Sequence, residues 1–360
     1  MSEDQLLEEL RPRAFAIAYR MLGSIAEAED IVQEALLRVH RTLEDGERIE
    51  SPRAFVATVA TRLAIDELRS ARVRRESYVG EWLPEPLLAD ATDDPSDQTE
   101  MADSLTLAFL VLLESLSPEE RAVLLLRDVF DYGYDAIAAI VGKSEGNARQ
   151  LAARARRRVE ERRPRFESSR EQRDRLASRF FAAAVEGDLG SLETLLAHDV
   201  VLHGDGGGKA PAIARPVLGR SLVARALVVG VKQLLEVPGT ALRPVEVNGQ
   251  PGTVVLDGAG RVVGVMALDI AGQQVRSVIG IVNPDKLHHL GPVGDLGALL
   301  GRSSLAVRLA RLRGRNPTSL KGRCCIWRQL IFSSALSSDG LWSAVQAARG
   351  SSARTRVGVS

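Results

Sequence analysis

Cysteine is almost missing from this 360-residue chain: there are two, Cys324 and Cys325, and they are adjacent. Neighbours in sequence rarely bridge each other, and no CxxC or His-rich cluster stands near them. Neither a disulfide frame, a metal site nor any other cofactor is expected. Long apolar runs are missing too, so no segment is expected to span a membrane. Met1 to Glu9 is acidic and polar, unlike a secretory signal. The chain therefore reads as soluble and cytoplasmic. Net charge is also missing, with 47 basic against 47 acidic residues. Evenly spread, that balance would argue against a nucleic-acid partner, but it is not evenly spread. Residues 81–120 hold eleven acids and no base, and residues 149–165 hold eight arginines against Glu160 and Glu161. From residue 291 onward there are eleven basic residues against Asp295 and Asp339. Local patches, rather than the total, decide partners in such a chain.

The densest basic patch sits in YDAIAAIVGKSEGNARQLAARARRRV, Tyr134 to Val159. Ala138, Ile140 and Val141 make a short apolar helix that stops at Gly142, which supplies a sharp turn. Ser144 is placed to cap the next helix. Ala148, Leu151 and Ala155 then face inward, leaving Asn147, Arg149, Gln150, Arg154, Arg157 and Arg158 outside. Amides and guanidiniums on one helix face suit base edges and phosphates, so a helix-turn-helix DNA reader is expected. The competing reading is a solvated, Arg-rich helix on an ordinary bundle.

A length of 360 residues predicts two or three domains. Residues 1–76 are helical by pattern. Phe15, Ala18, Tyr19 and Leu22 share one face, and Ile31, Ala35, Leu36 and Val39 another. A third helix starts at Ser51-Pro52 with Phe55, Val59, Leu63 and Leu68 as its apolar stripe. Residues 77–103 form an acidic linker with three prolines, extended or without a core of its own. Residues 104–166 carry the helix-turn-helix. From 171 to 290 the period changes: a helix at Leu176 to Ala197 precedes strand-like runs at 200–203, 241–247, 253–256, 262–270 and 274–282. Turns at Asp257-Gly258 and Ala271-Gly272 suit an antiparallel meander, hence an α+β domain. A basic tail, 301–360, shows little organisation.

Two further surfaces stand out. Asp30, Gln33 and Glu34 lie together on the second helix beside Leu37; a solvated acidic face is the plainer reading of such a cluster. On the third helix Arg62, Asp66 and Arg69 line one side and Arg72, Arg74 and Arg75 follow, with Thr58 and Thr61 as polar neighbours that could meet phosphates or bases, a basic end that suits a nucleic-acid backbone. In the α+β segment His203, Asp205 and Lys209 can be read as an acid/base set. The glycines between Asp205 and Lys209 argue for a tight turn instead, and no enzyme activity is expected.

SIAEAEDIVQEALLRVHR resembles the second region of sigma-70-type transcription initiation factors, and SPRAFVATVATRLAIDELRSARVRR resembles their promoter −10 reading helix. SLSPEERAVLLLRDVFDYGYDAIAAIVGKSEGNARQLAARARRRV resembles the fourth region, which binds the −35 element. The lack of other regions between them resembles the extracytoplasmic-function type. YVGEWLPEPL in the linker, DGGGK (Asp205, Gly206, Gly207, Gly208, Lys209) and NPDKL (Asn283, Pro284, Asp285, Lys286, Leu287) resemble the subgroup with a SnoaL-like C-terminal domain.

The resemblance implies two all-α helical domains followed by an α+β SnoaL-like cone. It implies core RNA polymerase as a partner of Asp30, Gln33, Glu34 and Leu37. It implies promoter DNA as a partner of Arg62, Asp66, Arg69 and Arg72 at the −10 element, and of Ser144, Asn147, Arg149, Gln150, Arg154, Arg157 and Arg158 at the −35 element. The acidic loop near Leu43 to Ser51 would help hold a flipped base. The cone would act in cis through the DGGGK and NPDKL residues and Trp82, with Lys209 and Lys286 pairing with Glu81 or Glu85; a small ligand in the cone is a further candidate partner. The rival is a one-component regulator, a helix-turn-helix with a ligand-binding cone, which would need no acidic docking helix.

Overall fold

The computed structural model describes residues 2–88, 105–160 and 169–301, apart from the side chains of 71–76 and 160. The basic tail from residue 302 and the linker residues 89–104 lie outside the described residues. Among the described residues no helix is long and apolar enough to cross a membrane.

Three long helices come first: α1 (Glu3–Leu22), α2 (Ile25–Glu44) and α3 (Pro52–Glu76). Ser2 and Gln5 cap the start of α1 reciprocally, and Ser24 caps α2. The buried stripe of α3 is displaced from the expected one. Val56, Ala57, Ala60, Ala64 and Ile65 are inside, while Phe55, Val59 and Leu63 are only half-buried at the rim. Alanine lets the helix axes approach, so the small residues take the centre and the large ones seal the edge.

Next come α4 (Leu107–Leu113), α5 (Pro118–Asp128), α6 (Tyr134–Val141) and α7 (Glu145–Glu160). The LAFLVLL sequence of α4 is apolar all round, and the helix sends side chains into two different cores. Phe109, Leu110 and Leu113 enter the core of α1–α3, and Leu107 enters that of the C-terminal unit. Arg121 on α5 is 3% exposed; it donates to Met21 O at 2.6 Å and Leu113 O at 3.1 Å, and pairs with Glu114. The helix-turn-helix keeps its own small core of Val123, Leu126, Ile137, Ile140, Ala148 and Ala152.

The C-terminal unit holds α8 (Arg170–Glu186), α9 (Leu189–Leu195), α10 (Arg220–Leu235), a final short α11 (Leu296–Gly301) and six strands. These are β1 (Leu196–Asp205), β2 (Val217–Leu218), β3 (Ala241–Val247), β4 (Gln250–Leu256), β5 (Val262–Ala271) and β6 (Gln274–Ile281), in the sheet order β2-β1-β6-β5-β4-β3. The β3–β6 meander is antiparallel as expected, and β1 returns parallel to β6. Met266, Leu268 and Ile270 of β5 face α8–α10, whereas Val265 and Ala267 face the opposite side with Ile279 and Ile281. That second face is covered by α4 and by Leu83 of the linker. Residues 78–88 therefore do lack a core of their own, as their composition predicts, but they borrow that of the sheet.

Candidate polymerase, promoter and strap surfaces

On α2 the sequence period places Asp30, Gln33 and Leu37 along one stripe, and all three are exposed, Leu37 to 39%. Glu34 lies beside them in an i,i+4 pair with Arg38 at 2.7 Å. The surface is acidic with an apolar rim, a pattern suited to arginines on a partner helix.

The α3 candidates are not free. The Arg62 guanidinium donates to Ala139 O at 2.8 Å and Ile140 O at 3.0 Å, the open carbonyls at the end of α6. A cation is favoured there by the negative end of the helix. Arg69 bridges Asp66 at 3.1 Å and Glu119 of α5 at 2.6 Å. Thr58 donates back to Ala54 O, and Thr61 is fully buried, so neither hydroxyl is offered to DNA. That departs from their expected role, because Thr61 falls on the alanine-lined inner face. Arg72 is in the last turns of α3, and its side chain lies outside the described residues.

The α7 candidates present the opposite picture. Ser144 accepts from Asn147 N at 3.3 Å as the helix cap, and Gly142 takes the left-handed backbone (φ 65°). Asn147, Gln150, Arg154 and Arg157 are exposed. Arg149 is also exposed, but paired with Glu145 and stacked 4.6 Å from the Tyr134 ring centroid. Arg158 is tied to Glu120 at 2.6 Å.

The linker residues form a strap between the helical units and the cone. Asp205 is fully buried at the end of β1 and accepts four bonds: from Tyr78 Oη at 2.6 Å, Leu83 N at 2.9 Å, Gly207 N at 2.9 Å and Lys286 Nζ at 2.7 Å. Burial and the Asp205 carboxylate together push the Tyr78 hydroxyl well above its ordinary range, so it stays a donor. Lys286, 5% exposed, also donates to Leu83 O and lies 4.1 Å from the Trp82 ring centroid. Asn283 donates to Tyr78 Oη at 2.8 Å, and a Cβ at Gly207 would collide with the Asn283 amide. A buried carboxylate so fully hydrogen-bonded and paired is tolerated; losing one partner would strand the rest.

Trp82, Asp205, Gly207, Asn283 and Lys286 thus converge. Gly206 is buried behind them, Gly208 approaches Val79, and Pro284 opens a short 3-10 turn. The lysine pairings differ from expectation. Lys209 reaches Asp285, and Lys286 reaches Asp205, because Glu81 is taken by His203 at 2.8 Å and Glu85 by the start of α2. His203, Asp205 and Lys209 consequently point to three separate partners and make no common acid/base site.

Sequence and structure comparisons agree with this layout. The model described as Sigma-70 region 2 matches residues 6–74, and that described as Sigma-70, region 4 matches residues 106–159. The ECF RNA polymerase sigma factor SigJ of Mycobacterium tuberculosis is 38% identical over 290 residues, covering 78% of this chain and 91% of that protein. The chain belongs to the extracytoplasmic-function sigma factors. A second M. tuberculosis relative of this sigma factor, the probable ECF RNA polymerase sigma factor SigI, is 31% identical over 283 residues, covering 76% of this chain and 91% of the relative. The crystal structure of M. tuberculosis SigJ superposes with a TM-score of 0.64 at 35% identity, covering 78% of this chain and 96% of that one. The C-terminal unit of this sigma factor is of the SnoaL-like α+β type.

Sequence reasoning missed several residues of the strap. Tyr78 stands in the YVGEWLPEPL motif with no role assigned to it, Glu85 holds the start of α2 instead of meeting a lysine, and Asn248 lies outside every motif. Asn248-Gly249 forms the β3–β4 hairpin turn, and both take positive φ. Nothing in its local pattern announced that the Asn amide would be turned inward.

Proposed function

We propose that this sigma factor docks core RNA polymerase through Asp30, Gln33, Glu34 and Leu37 of α2, reads the −10 element with α3 and the −35 element with α7, and is controlled in cis by the cone through the strap. The observation that carries this reading is the buried Asp205–Lys286 pair closing around Tyr78, Trp82 and Leu83. It ties the cone to the segment that joins the two promoter-reading units. The match of residues 6–74 to region 2 supports the docking helix over the rival regulator lacking one. On α7, Asn147 and Gln150 suit adenine, Arg149 and Arg154 suit guanine, and Arg157 and Arg158 suit phosphates. Work with polymerase places the protein in the cytoplasm.

In vitro transcription with core polymerase over a promoter library, with the full chain and with residues 1–168, tests the reading. Promoter-specific transcription is expected from both, at different levels. Equal levels would remove the cone from control. Core binding that survives Asp30→Arg would remove α2 from docking.

A further inference from the structure

Asn248 is buried to 3% exposure at the β3–β4 turn, yet its side chain spends all its hydrogen bonds outside the cone. Its Oδ1 accepts from Leu87 N at 2.8 Å, and its Nδ2 donates to Leu105 O at 2.9 Å and to Tyr19 Oη of α1 at 2.8 Å. Its own backbone N–H donates to Leu87 O at 2.8 Å, and Val247 pairs with Leu88 as an added bridge on the sheet edge. The fully buried Tyr19 passes the contact on, donating to Glu85 O at 2.6 Å. Glu85 in turn holds the start of α2. Its carboxylate accepts from Ile25 N at 2.7 Å and Ser24 Oγ at 3.0 Å, and its N–H donates to Gly23 O at 2.8 Å. Gly23 takes φ 69°, and a Cβ there would press on Trp82, so the strap seats directly on the α1–α2 turn.

A carboxylate on the first amide of a helix satisfies an orphan donor and complements the helix dipole. Here that carboxylate comes from a distant segment held by the cone. We infer that Asn248, through Tyr19 and Glu85, is a positioning residue for α2: the cone fixes the start of the polymerase-docking helix. This rests on the reading of α2 as that helix. The path is separate from the Asp205–Lys286 pair, and it reaches the first helical unit without passing through either promoter reader.

Asn248→Gly in the full chain is the test. Glycine keeps the left-handed backbone and the turn while removing the amide. Exchange of the Ile25 amide is expected to accelerate, and the Kd for core polymerase to rise about fivefold, the factor that corresponds to a lost cap of about 1 kcal/mol. Tyr19→Phe should do the same, and the double variant should be no worse than the worse single one, because both break one path. Unchanged Ile25 exchange, unchanged or tighter core binding, or additive single effects would each overturn the inference. Asp30→Arg serves as the control for the underlying reading. If it leaves core affinity intact, the docking assignment fails; if it weakens binding while Asn248→Gly does not, only the positioning role fails.

Discussion

On α7, Asn147, Gln150, Arg154 and Arg157 stand exposed along one face, whereas on α3 Arg62 and Arg69 are each bound to the neighbouring helical unit. Both helices come from the same kind of sequence, an alanine-lined inner face with arginines outside. What separates them is packing. The outer face of α7 meets solvent, while α4 and α5 dock against the first three helices through Phe109, Leu110, Leu113 and Arg121, and the end of α6 takes Arg62 of α3. An arginine stripe therefore does not announce an available reader. Its neighbours decide whether the guanidiniums find phosphates or carbonyls. For a two-site promoter reader, this arrangement leaves Asn147, Gln150, Arg154 and Arg157 open at the −35 helix and requires Arg62 and Arg69 to exchange protein partners for DNA.

The largest test of this contrast is Arg121. Removing it strands two buried carbonyls and the Glu114 carboxylate at the joint between the units. Arg121→Met should lower stability by about 3 kcal/mol in denaturant unfolding. A loss below about 1 kcal/mol would show that the joint is loose, and the contrast between the two faces would shrink with it. Next in size is base reading on the open face. Gln150→Ala should change preference at one −35 base pair by about 1–3 kcal/mol, while Arg157→Ala weakens all promoters alike and lowers the salt slope by about 1. Equal losses across promoter variants for both would erase the division of labour on α7. Smaller again is the stability difference between the faces themselves. Arg62→Ala should cost about 1 kcal/mol, because two helix-end carbonyls lose a charged donor, whereas Arg154→Ala should stay within about 0.5 kcal/mol of wild type. Matching costs would mean that Arg62 is as free as Arg154.

Most of the architecture was legible because it rests on local signals. The Ser144 cap, the Gly142 stop and the Asp257-Gly258 and Ala271-Gly272 turns all act within a few residues of themselves. The β3–β6 meander follows from them. Helix α10 was not read, since SLVARALVVGVKQLL mixes β-branched residues with a glycine and its pattern suits neither period well. The parallel return of β1 against β6 could not be read, because nothing local records which distant strand a segment will join. The site was legible in the same proportion. Asp205 and Trp82 stood out by residue type, Asn283 and Lys286 only through the resemblance carried by NPDKL, and the partners of all four did not stand out. Asp205 rather than Glu81 or Glu85 takes Lys286, because the two glutamates are engaged at His203 and at the start of α2, contacts that only the folded chain creates.

The smallest effect, and the finest gauge of how closed α3 is, belongs to Arg69 and Glu119. Burial raises the Glu119 carboxyl, but the hydrogen bond from Arg69, a backbone amide and the charge of Arg69 outweigh it, so it titrates below its ordinary range. The Arg69 guanidinium is raised correspondingly, chiefly by its bond to Glu119. A carboxyl whose folded pKa is lowered adds stability above its unfolded pKa and loses it as pH falls through the folded one. The pair should therefore help hold α3 to α5 at neutral pH and stop doing so at the acid end of the carboxylate range. With Arg69 more than half exposed, its worth is about 0.5 kcal/mol at most, and less in high salt. Glu119→Gln should remove that part of the acid dependence and leave neutral-pH stability lower by the same small amount. Parallel acid unfolding curves for wild type and variant would mean that Arg69 already spends its time in solvent, and that the α3 face is nearer in state to α7 than its contacts suggest.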